Sequence, residues 1–154
     1  MEIQSDGVSP AKCNEMLTIC TALNLRKASR VVTKLFDDVL RPIGLRSTQL
    51  PILVTLRLLG PTTMRQLSAE LAMSPTTLTR NLRPLVKRGM VQVLAGDDRR
   101  TREISLAEEG RKLLEEAVPL WEKAQGFTVE SLGRDRWRNL ITELSAAVEV
   151  VQAR

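Results

Sequence analysis

The stretch Arg65–Arg88, RQLSAELAMSPTTLTRNLRPLVKR, contains the signals that decide the fold. Its first part, Arg65 to about Ala72, has leucines at the spacing of a short amphipathic helix. Ser74 then supplies an N-cap side chain, and Pro75 occupies a first helical position, where its missing N–H is not needed. The pattern predicts two helices joined by a turn of about three residues, the spacing of a helix-turn-helix and also of a generic helical hairpin.

The second of these helices, from Pro75 to Arg88, is predicted to expose a basic face rich in hydroxyl groups. Leucines form its inward stripe, and no Asp or Glu occurs between Ser74 and Arg88. Cations neutralise phosphates, while Arg and Thr can contact base edges. We expect base contacts from Thr76, Thr77 and Arg80 and backbone contacts from Arg83 and Lys87; a solvated basic face is the alternative. The full set of expected DNA contacts on this helix is Ser74, Thr76, Thr77, Thr79, Arg80, Arg83 and Lys87.

Pro84 interrupts the regular pattern of this helix. A proline inside a helix removes one backbone hydrogen bond and favours a kink about one turn earlier. Two alternatives stay open from the sequence: the helix bends near residue 80, or its first regular part ends there.

The segment after Gly89 has the pattern of a two-stranded hairpin. Val91 and Val93 alternate with a polar residue, Gly96 begins a turn, and residues 102–106 return as the partner strand. We therefore expect a wing, a hairpin that lies beside the helix-turn-helix.

The tip of this hairpin carries both carboxylates and guanidinium groups. Arg99 and Arg100 have the reach to enter a minor groove, whose negative potential attracts Arg. We expect Asp98 to stabilise the wing by pairing with Arg100 or Arg102. A plain surface hairpin also mixes charges in this way, and it is the alternative interpretation.

Long amphipathic helices are predicted on both sides of this central region. One runs from about Asn14 to Arg41, after a poorly ordered arm, and a shorter helix follows with Ser47 as its cap. A third runs from Ala107 to about Leu132, and the last begins at Arg134. The terminal helices have more apolar surface than the small central region can cover, and a two-fold dimer would bury the remainder.

The predicted architecture is one mainly α domain, a winged helix-turn-helix with a helical dimerisation region. Residues 1–45 form the N-terminal arm and a dimerisation helix, and residues 46–106 form the DNA-binding lobe. Residues 107–154 form the C-terminal linker and dimerisation helices.

Composition restricts the class of function. The chain of 154 residues has 23 Lys and Arg, 18 Asp and Glu, two Cys and no His. Most metal sites and the usual general base are therefore missing, so we expect no metal, no cofactor and no enzymatic activity. Residues 61–106 hold 8 basic and 4 acidic side chains, whereas residues 107–154 hold 7 and 9. This distribution is typical of a nucleic-acid surface on a scaffold that does not itself bind.

The sequence contains no apolar run near the roughly 20 residues that span a bilayer, and it begins without the features of a signal peptide. We therefore expect a cytoplasmic protein that does not bind membranes.

Three segments together resemble the multiple-antibiotic-resistance regulator (MarR) family. They are MRQLSAELAMSPTTLTRNLRPLVKRGMVQ, DDRRTREISLAEEGRKLL and, upstream, LRKASRVVTKLFDDVLRPIGLRSTQLPIL. They resemble the family's recognition helix, its Asp-x-Arg wing, the Gly-containing start of the next helix, and its first two helices. Ala107 replaces the usual Thr, so a common helix cap is absent, although Ser105 lies close by.

The resemblance implies a homodimer on a pseudo-palindromic DNA site, usually a repressor released by an anionic aromatic ligand or an oxidant. It places the ligand in a crevice between the dimer helices and the DNA-binding lobe. Residues expected to contribute there are Arg26, Arg30, Met64 and Trp121, with Arg as the anchor for a carboxylate.

Cys13 and Cys20 are the candidates for oxidant sensing. At a spacing of seven residues they would share one face of a single helix, about 10 Å apart, too far for a bridge within that helix. Cys20 is the expected sensor and Cys13 its partner across the dimer, whereas a buried, inert Cys20 is the alternative. A rival of another class is a helical protein–protein adaptor with a winged fold that does not bind DNA.

Overall fold

The computed structural model describes residues 7–95 and 102–153, which form seven α-helices and a three-stranded antiparallel sheet. The predicted mainly α fold with a winged helix-turn-helix is confirmed. The elements are α1 (Pro10–Ile19), α2 (Thr21–Leu40), a 3-10 turn (Arg41–Ile43), α3 (Leu50–Leu59), β1 (Thr62–Thr63), α4 (Met64–Glu70), α5 (Pro75–Lys87), β2 (Val91–Ala95), β3 (Arg102–Leu106), α6 (Glu108–Leu132) and α7 (Arg134–Gln152).

The chain divides into two compact units, one ending at Leu35 and one running from Phe36. The prediction of a single helix from Asn14 to Arg41 is wrong, because the chain forms two helices there, α1 and α2. Helix α1 begins at Pro10 because the Ser9 hydroxyl accepts a hydrogen bond from the Lys12 N–H at 3.2 Å, an N-cap that the sequence interpretation missed.

The two helices of this part are separated by a break at Cys20, whose backbone is extended (φ −66°, ψ 114°). The Asn24 side-chain amide donates to the carbonyl groups of Thr18 and Cys20, both at 3.0 Å. These bonds satisfy carbonyl groups that a helix end leaves without partners, so the break is stabilised locally.

The second unit contains a leucine-rich core built from α3, α4, α5, the sheet and the first half of α6. The stripe Leu78, Leu82 and Leu85 of α5 is buried, as predicted from its spacing. Helix α3 lies between α4 and α6, with Leu53 and Leu56 fully enclosed. Burial of these leucines stabilises the lobe.

Ser47 does not cap α3, so that prediction is wrong. The helix begins at Leu50 without a side-chain cap, and the Ser47 N–H donates instead to Asp37 Oδ1 at 2.7 Å. Residues 46–49 form a turn between the 3-10 turn and α3.

The sheet has the strand order β1-β3-β2. The predicted hairpin is present as β2 and β3, with Val91 opposite Leu106 and Ala95 opposite Arg102. The third strand, Thr62–Thr63, pairs with Ile104 and Glu103 and was not predicted, because two residues are too few to show a periodic pattern.

The long C-terminal helices follow the predicted boundaries closely. Helix α6 begins after Ala107, which provides no side-chain cap hydrogen bond, as its replacement of a capping residue predicts. Within residues 7–95 and 102–153, no helix is long and apolar enough to cross a membrane.

Candidate nucleic-acid interface

The turn that joins α4 to α5 is closed by backbone hydrogen bonds. Ala72 adopts a left-handed conformation (φ 49°), and the Met73 N–H donates to the Ser68 carbonyl at 3.0 Å. This is the bonding of a Schellman motif, which ends one helix sharply and redirects the chain. Ser74 follows in an extended conformation, so α5 leaves the turn in a new direction.

Hydroxyl groups at the start of α5 stabilise the helix itself. Ser74 Oγ accepts from the Thr77 N–H at 3.2 Å and donates to Thr77 Oγ1 at 2.9 Å. The Thr79 hydroxyl donates to the Pro75 carbonyl at 2.8 Å. These three side chains, expected from the sequence to contact DNA, therefore have structural roles within the helix.

One face of α5 is free of such internal bonds. Thr76, Arg80, Arg83 and Lys87 are all exposed, and their spacing of four, three and four residues places them on one stripe opposite the buried leucines. Within the described part of the chain, none of the four side chains makes a hydrogen bond or an ion pair. Part of this stripe lines a shallow groove of about 480 Å³, together with Pro75, Thr79 and Pro84.

Pro84 lies within α5 and does not end it. The helix continues to Lys87, and the Arg88 N–H donates to the Pro84 carbonyl at 3.1 Å. Of the two alternatives left open by the sequence, termination at the proline is therefore wrong. All four residues of the outward stripe therefore belong to one helix, and Pro84 lies on its exposed side.

The hairpin adds a further cation to this surface. A second groove, about 550 Å³, lies between α5 and the strands, with Val86 and Val93 among its apolar lining. Arg83 and Lys87 line it from the helix and Arg102 from β3. Helix and hairpin thus present three positive side chains to one groove, an arrangement suited to a polyanion.

The hairpin tip was expected to carry Asp98, Arg99 and Arg100. These residues lie outside the described residues, so their roles as wing stabiliser and DNA contacts stay predictions. The strands leading to the tip are in register, with Ala95 opposite Arg102 at their ends.

Three functionally placed residues were missed by the sequence analysis. The Thr48 hydroxyl donates to Asn81 Oδ1 at 2.8 Å, and the Arg88 guanidinium donates to the carbonyl groups of Gly44 (2.6 Å) and Ile43 (3.2 Å). Arg88 therefore ties the end of α5 to the 3-10 turn. The partners lie 33 to 45 residues away along the chain, and local patterns give no signal for such contacts.

The residues expected to line a ligand crevice have different surroundings. Arg26 and Arg30 are exposed on α2 in the first unit. In the second unit, Met64 lines the groove between α5 and the hairpin, whereas Trp121 lines an apolar cavity of about 430 Å³ between α3 and α6. Met64 and Trp121 thus line different cavities, and the role of all four residues stays a prediction.

The cysteines also differ from their expected arrangement. Cys13 is exposed on α1, and Cys20 is half-buried at the break between α1 and α2. The two residues therefore do not share one continuous helix face, because the extended backbone at Cys20 interrupts it. Their proposed redox role is not tested by this geometry.

Comparison with known proteins gives a consistent set of similarities. A model of the MarR family matches residues 45–101. The uncharacterized HTH-type transcriptional regulator YwoH of Bacillus subtilis is 33% identical over 92 residues, which cover 60% of this chain and 67% of YwoH.

Two solved structures extend the similarity over most of the chain. The Mycobacterium tuberculosis transcriptional regulator MosR in complex with DNA is 38% identical with a TM-score of 0.74, covering 86% of this chain and 98% of MosR. A probable transcriptional regulator from Pseudomonas aeruginosa is 29% identical with a TM-score of 0.78, covering 85% and 98%.

Proposed function

The chain belongs to the MarR family, and on that premise we propose that it is a homodimeric transcriptional regulator that binds specific DNA sequences. The observation that carries the proposal is the outward stripe of α5. Thr76, Arg80, Arg83 and Lys87 are exposed there, and α5 contains no acidic residue that would repel phosphate.

The proposed docking places α5 in the major groove. Residues near the start of a recognition helix usually meet the bases, so Thr76 and Arg80 contact base edges. Arg83 and Lys87 neutralise phosphates, and Arg102 approaches the backbone from the hairpin. Arg99 and Arg100 extend the contact into the adjacent minor groove.

The proposed dimer uses an apolar stripe on α7. Leu140, Ile141, Leu144, Val148 and Val151 are exposed at helical spacing in the second unit, and Met16, Leu17 and Ile19 are exposed on α1 in the first. Surfaces of this kind are characteristic of a partner interface. A two-fold dimer places two copies of α5 on successive half-sites, and the DNA site is therefore pseudo-palindromic.

A selection from random-sequence DNA, followed by gel shifts with the full-length protein, tests the function. We expect an enriched pseudo-palindromic sequence whose binding weakens steeply with salt. Absence of any preference over random DNA at every salt concentration would contradict the proposal and favour a protein–protein adaptor. The enriched sequence would also identify the target genes. We expect the protein to be cytoplasmic and to repress these genes.

We further propose that a small anionic aromatic ligand releases the DNA. The cavity beside Trp121 supports this, because it is lined by Leu50, Val54 and Leu114 and has room for an aromatic ring. An arginine remains the predicted anchor for the carboxylate. Benzoate should weaken operator binding and quench the fluorescence of Trp121, measured in a Trp137→Phe background so that Trp121 is the remaining tryptophan. Absence of both effects would contradict this cavity as a site for benzoate.

The competing control mechanism is oxidation of Cys20. Its half-buried position beside the break between α1 and α2 favours this alternative, since oxidation there would disturb a local helix end. Peroxide should then release DNA from the wild-type protein and from Cys13→Ser more readily than from Cys20→Ser. Equal release from all three proteins would remove the cysteine mechanism.

A further inference from the structure

We propose that Asn81 is a positioning residue that fixes the rotation of α5 through its hydrogen bond with Thr48, and that this contact sets the DNA sequence preference. The inference rests on the proposed DNA-binding function. Thr48 and Asn81 form a defined pair: the Thr48 hydroxyl donates to Asn81 Oδ1 at 2.8 Å. We call this pair the Thr48–Asn81 clamp.

Both polar groups of the Asn81 side chain are used. While Oδ1 accepts from Thr48, Nδ2 donates to the Thr77 carbonyl at 3.0 Å. Thr77 is itself bonded to the N-cap Ser74 through its N–H and its hydroxyl. A continuous set of hydrogen bonds thus extends from Thr48 to the first turn of α5, the turn that carries Thr76.

The Thr48 end of the clamp is anchored in the same unit. Ser47 donates its N–H to Asp37 Oδ1 at 2.7 Å, and the Arg46 N–H donates to Oε1 of the buried Gln49 at 3.1 Å. Thr48 is therefore part of a turn held at both sides, and it gives Asn81 a fixed point of reference outside α5.

The clamp adds a directional restraint to the packing of the leucine stripe of α5. Apolar packing is non-directional, whereas a hydrogen bond weakens steeply when its distance or angle changes. A rotation of α5 by about 10° would move atoms at the helix surface, roughly 6 Å from its axis, by about 1 Å. Such a shift is enough to misalign the paired hydrogen bonds from Arg80 to a base, which need a fixed geometry. Ion pairs between long basic side chains and phosphates tolerate the same shift.

A double-mutant cycle on the full-length protein tests the clamp. Thr48→Val, Asn81→Ala and the double variant are compared for binding to the selected operator and to random DNA. We expect each single variant to reduce the preference for operator roughly three- to tenfold, the range for one neutral hydrogen bond. The double variant should lose no more than Asn81→Ala alone, because that variant already lacks the contact that Thr48→Val removes.

Two further variants control for hydroxyl loss and for folding. Thr48→Ser retains the donor and should keep the wild-type preference for operator. Thr142→Val removes a hydroxyl from α7 and should leave DNA binding unchanged. Thermal unfolding verifies each fold. If Asn81→Ala does not fold, Asn81→Ser takes its place in the cycle, because it also removes the acceptor for Thr48 while its hydroxyl can still donate to the Thr77 carbonyl.

Three results would overturn the clamp. The first is a wild-type preference for operator in both folded single variants. The second is a loss of preference in the double variant equal to the sum of the two single losses. The third is a loss with Thr48→Val but not with Asn81→Ala, which would mean that Thr48 itself contacts DNA. Failure of the wild-type protein to prefer any sequence is a different result, since it contradicts the proposed function.

Discussion

Gly110 shows how a single missing side chain permits the junction between the DNA-binding lobe and α6. A Cβ atom at this position would overlap the carbonyl oxygen of Met90 and lie 2.7 Å from Leu106 Cδ1. That same carbonyl accepts a hydrogen bond from the Ala107 N–H at 3.0 Å, so it cannot move away freely. The glycine noted in the sequence as part of the start of this helix thus has a packing role.

Replacing Gly110 with Ala should destabilise the protein by about 1–3 kcal/mol through overpacking, despite the higher helix propensity of Ala. Gly126 in the same helix is the matched control, because a Cβ there meets nothing within 4 Å. Gly126→Ala should stabilise by about 0.5–1 kcal/mol. Urea unfolding of both variants measures the difference, and shifts of the same sign would refute the packing argument.

Arg80 and Lys87 lie on the same stripe of α5 but should contribute differently to DNA binding. Arg80→Ala should reduce the preference for operator over random DNA by about 1–3 kcal/mol, because it removes a base contact. Lys87→Ala should weaken binding to both DNAs equally and lower the salt slope by about one. Titrations at several salt concentrations separate the two effects; matching profiles would show that the roles are not divided in this way.

The cap of α5 was predictable from the sequence, whereas the contacts of this helix with distant residues were not. Ser74 and Pro75 identify the start of α5 by their own side chains, and the structure places its first residue at Pro75. Asn81 and Arg88 gave no such signal, because their partners in residues 43–48 are brought near only by folding.

At the scale of elements, long periodic segments were predicted well and short or interrupted ones were not. Helix α6 ends at Leu132, as expected, because its apolar pattern extends over many turns. The break at Cys20 was missed because apolar periodicity continues through it. The stabilising hydrogen bonds come from the Asn24 amide, a polar group that apolar periodicity does not take into account. Strand β1 was missed because it consists only of Thr62 and Thr63.

The N-cap of α5 gives a prediction about a whole helix. Ser74→Ala removes the acceptor for the Thr77 N–H and should destabilise the protein by about 1 kcal/mol. Thr76→Ala, two residues later, removes an exposed hydroxyl without an internal partner and should leave the unfolding temperature unchanged. In DNA binding, Thr76→Ala should nevertheless lower operator preference. A decrease in unfolding temperature with Thr76→Ala equal to that with Ser74→Ala would contradict this separation of capping from contact.

At the scale of the molecule, apolar surface that remains exposed after folding links the sequence to assembly. The winged lobe could be predicted because its motifs are local and consecutive. The surplus of apolar residues in the terminal segments predicted a partner, and the α7 stripe remains exposed in the single chain. The detailed packing of that partner could not be predicted, since periodicity identifies the apolar face but not the surface that covers it.

Leu144→Glu tests whether the α7 stripe holds two copies together. Leu144 lies at the middle of the stripe, so a buried carboxylate there should dissociate the dimer. Ala146→Glu adds the same charge on the opposite side of α7 and should leave the dimer intact. Sedimentation velocity measures whether the variant is a dimer or a monomer. In gel shifts, the monomeric variant should bind the full operator on the order of a hundredfold more weakly, because no linked copy engages the second half-site. A dimeric Leu144→Glu variant with normal operator affinity would place the interface elsewhere.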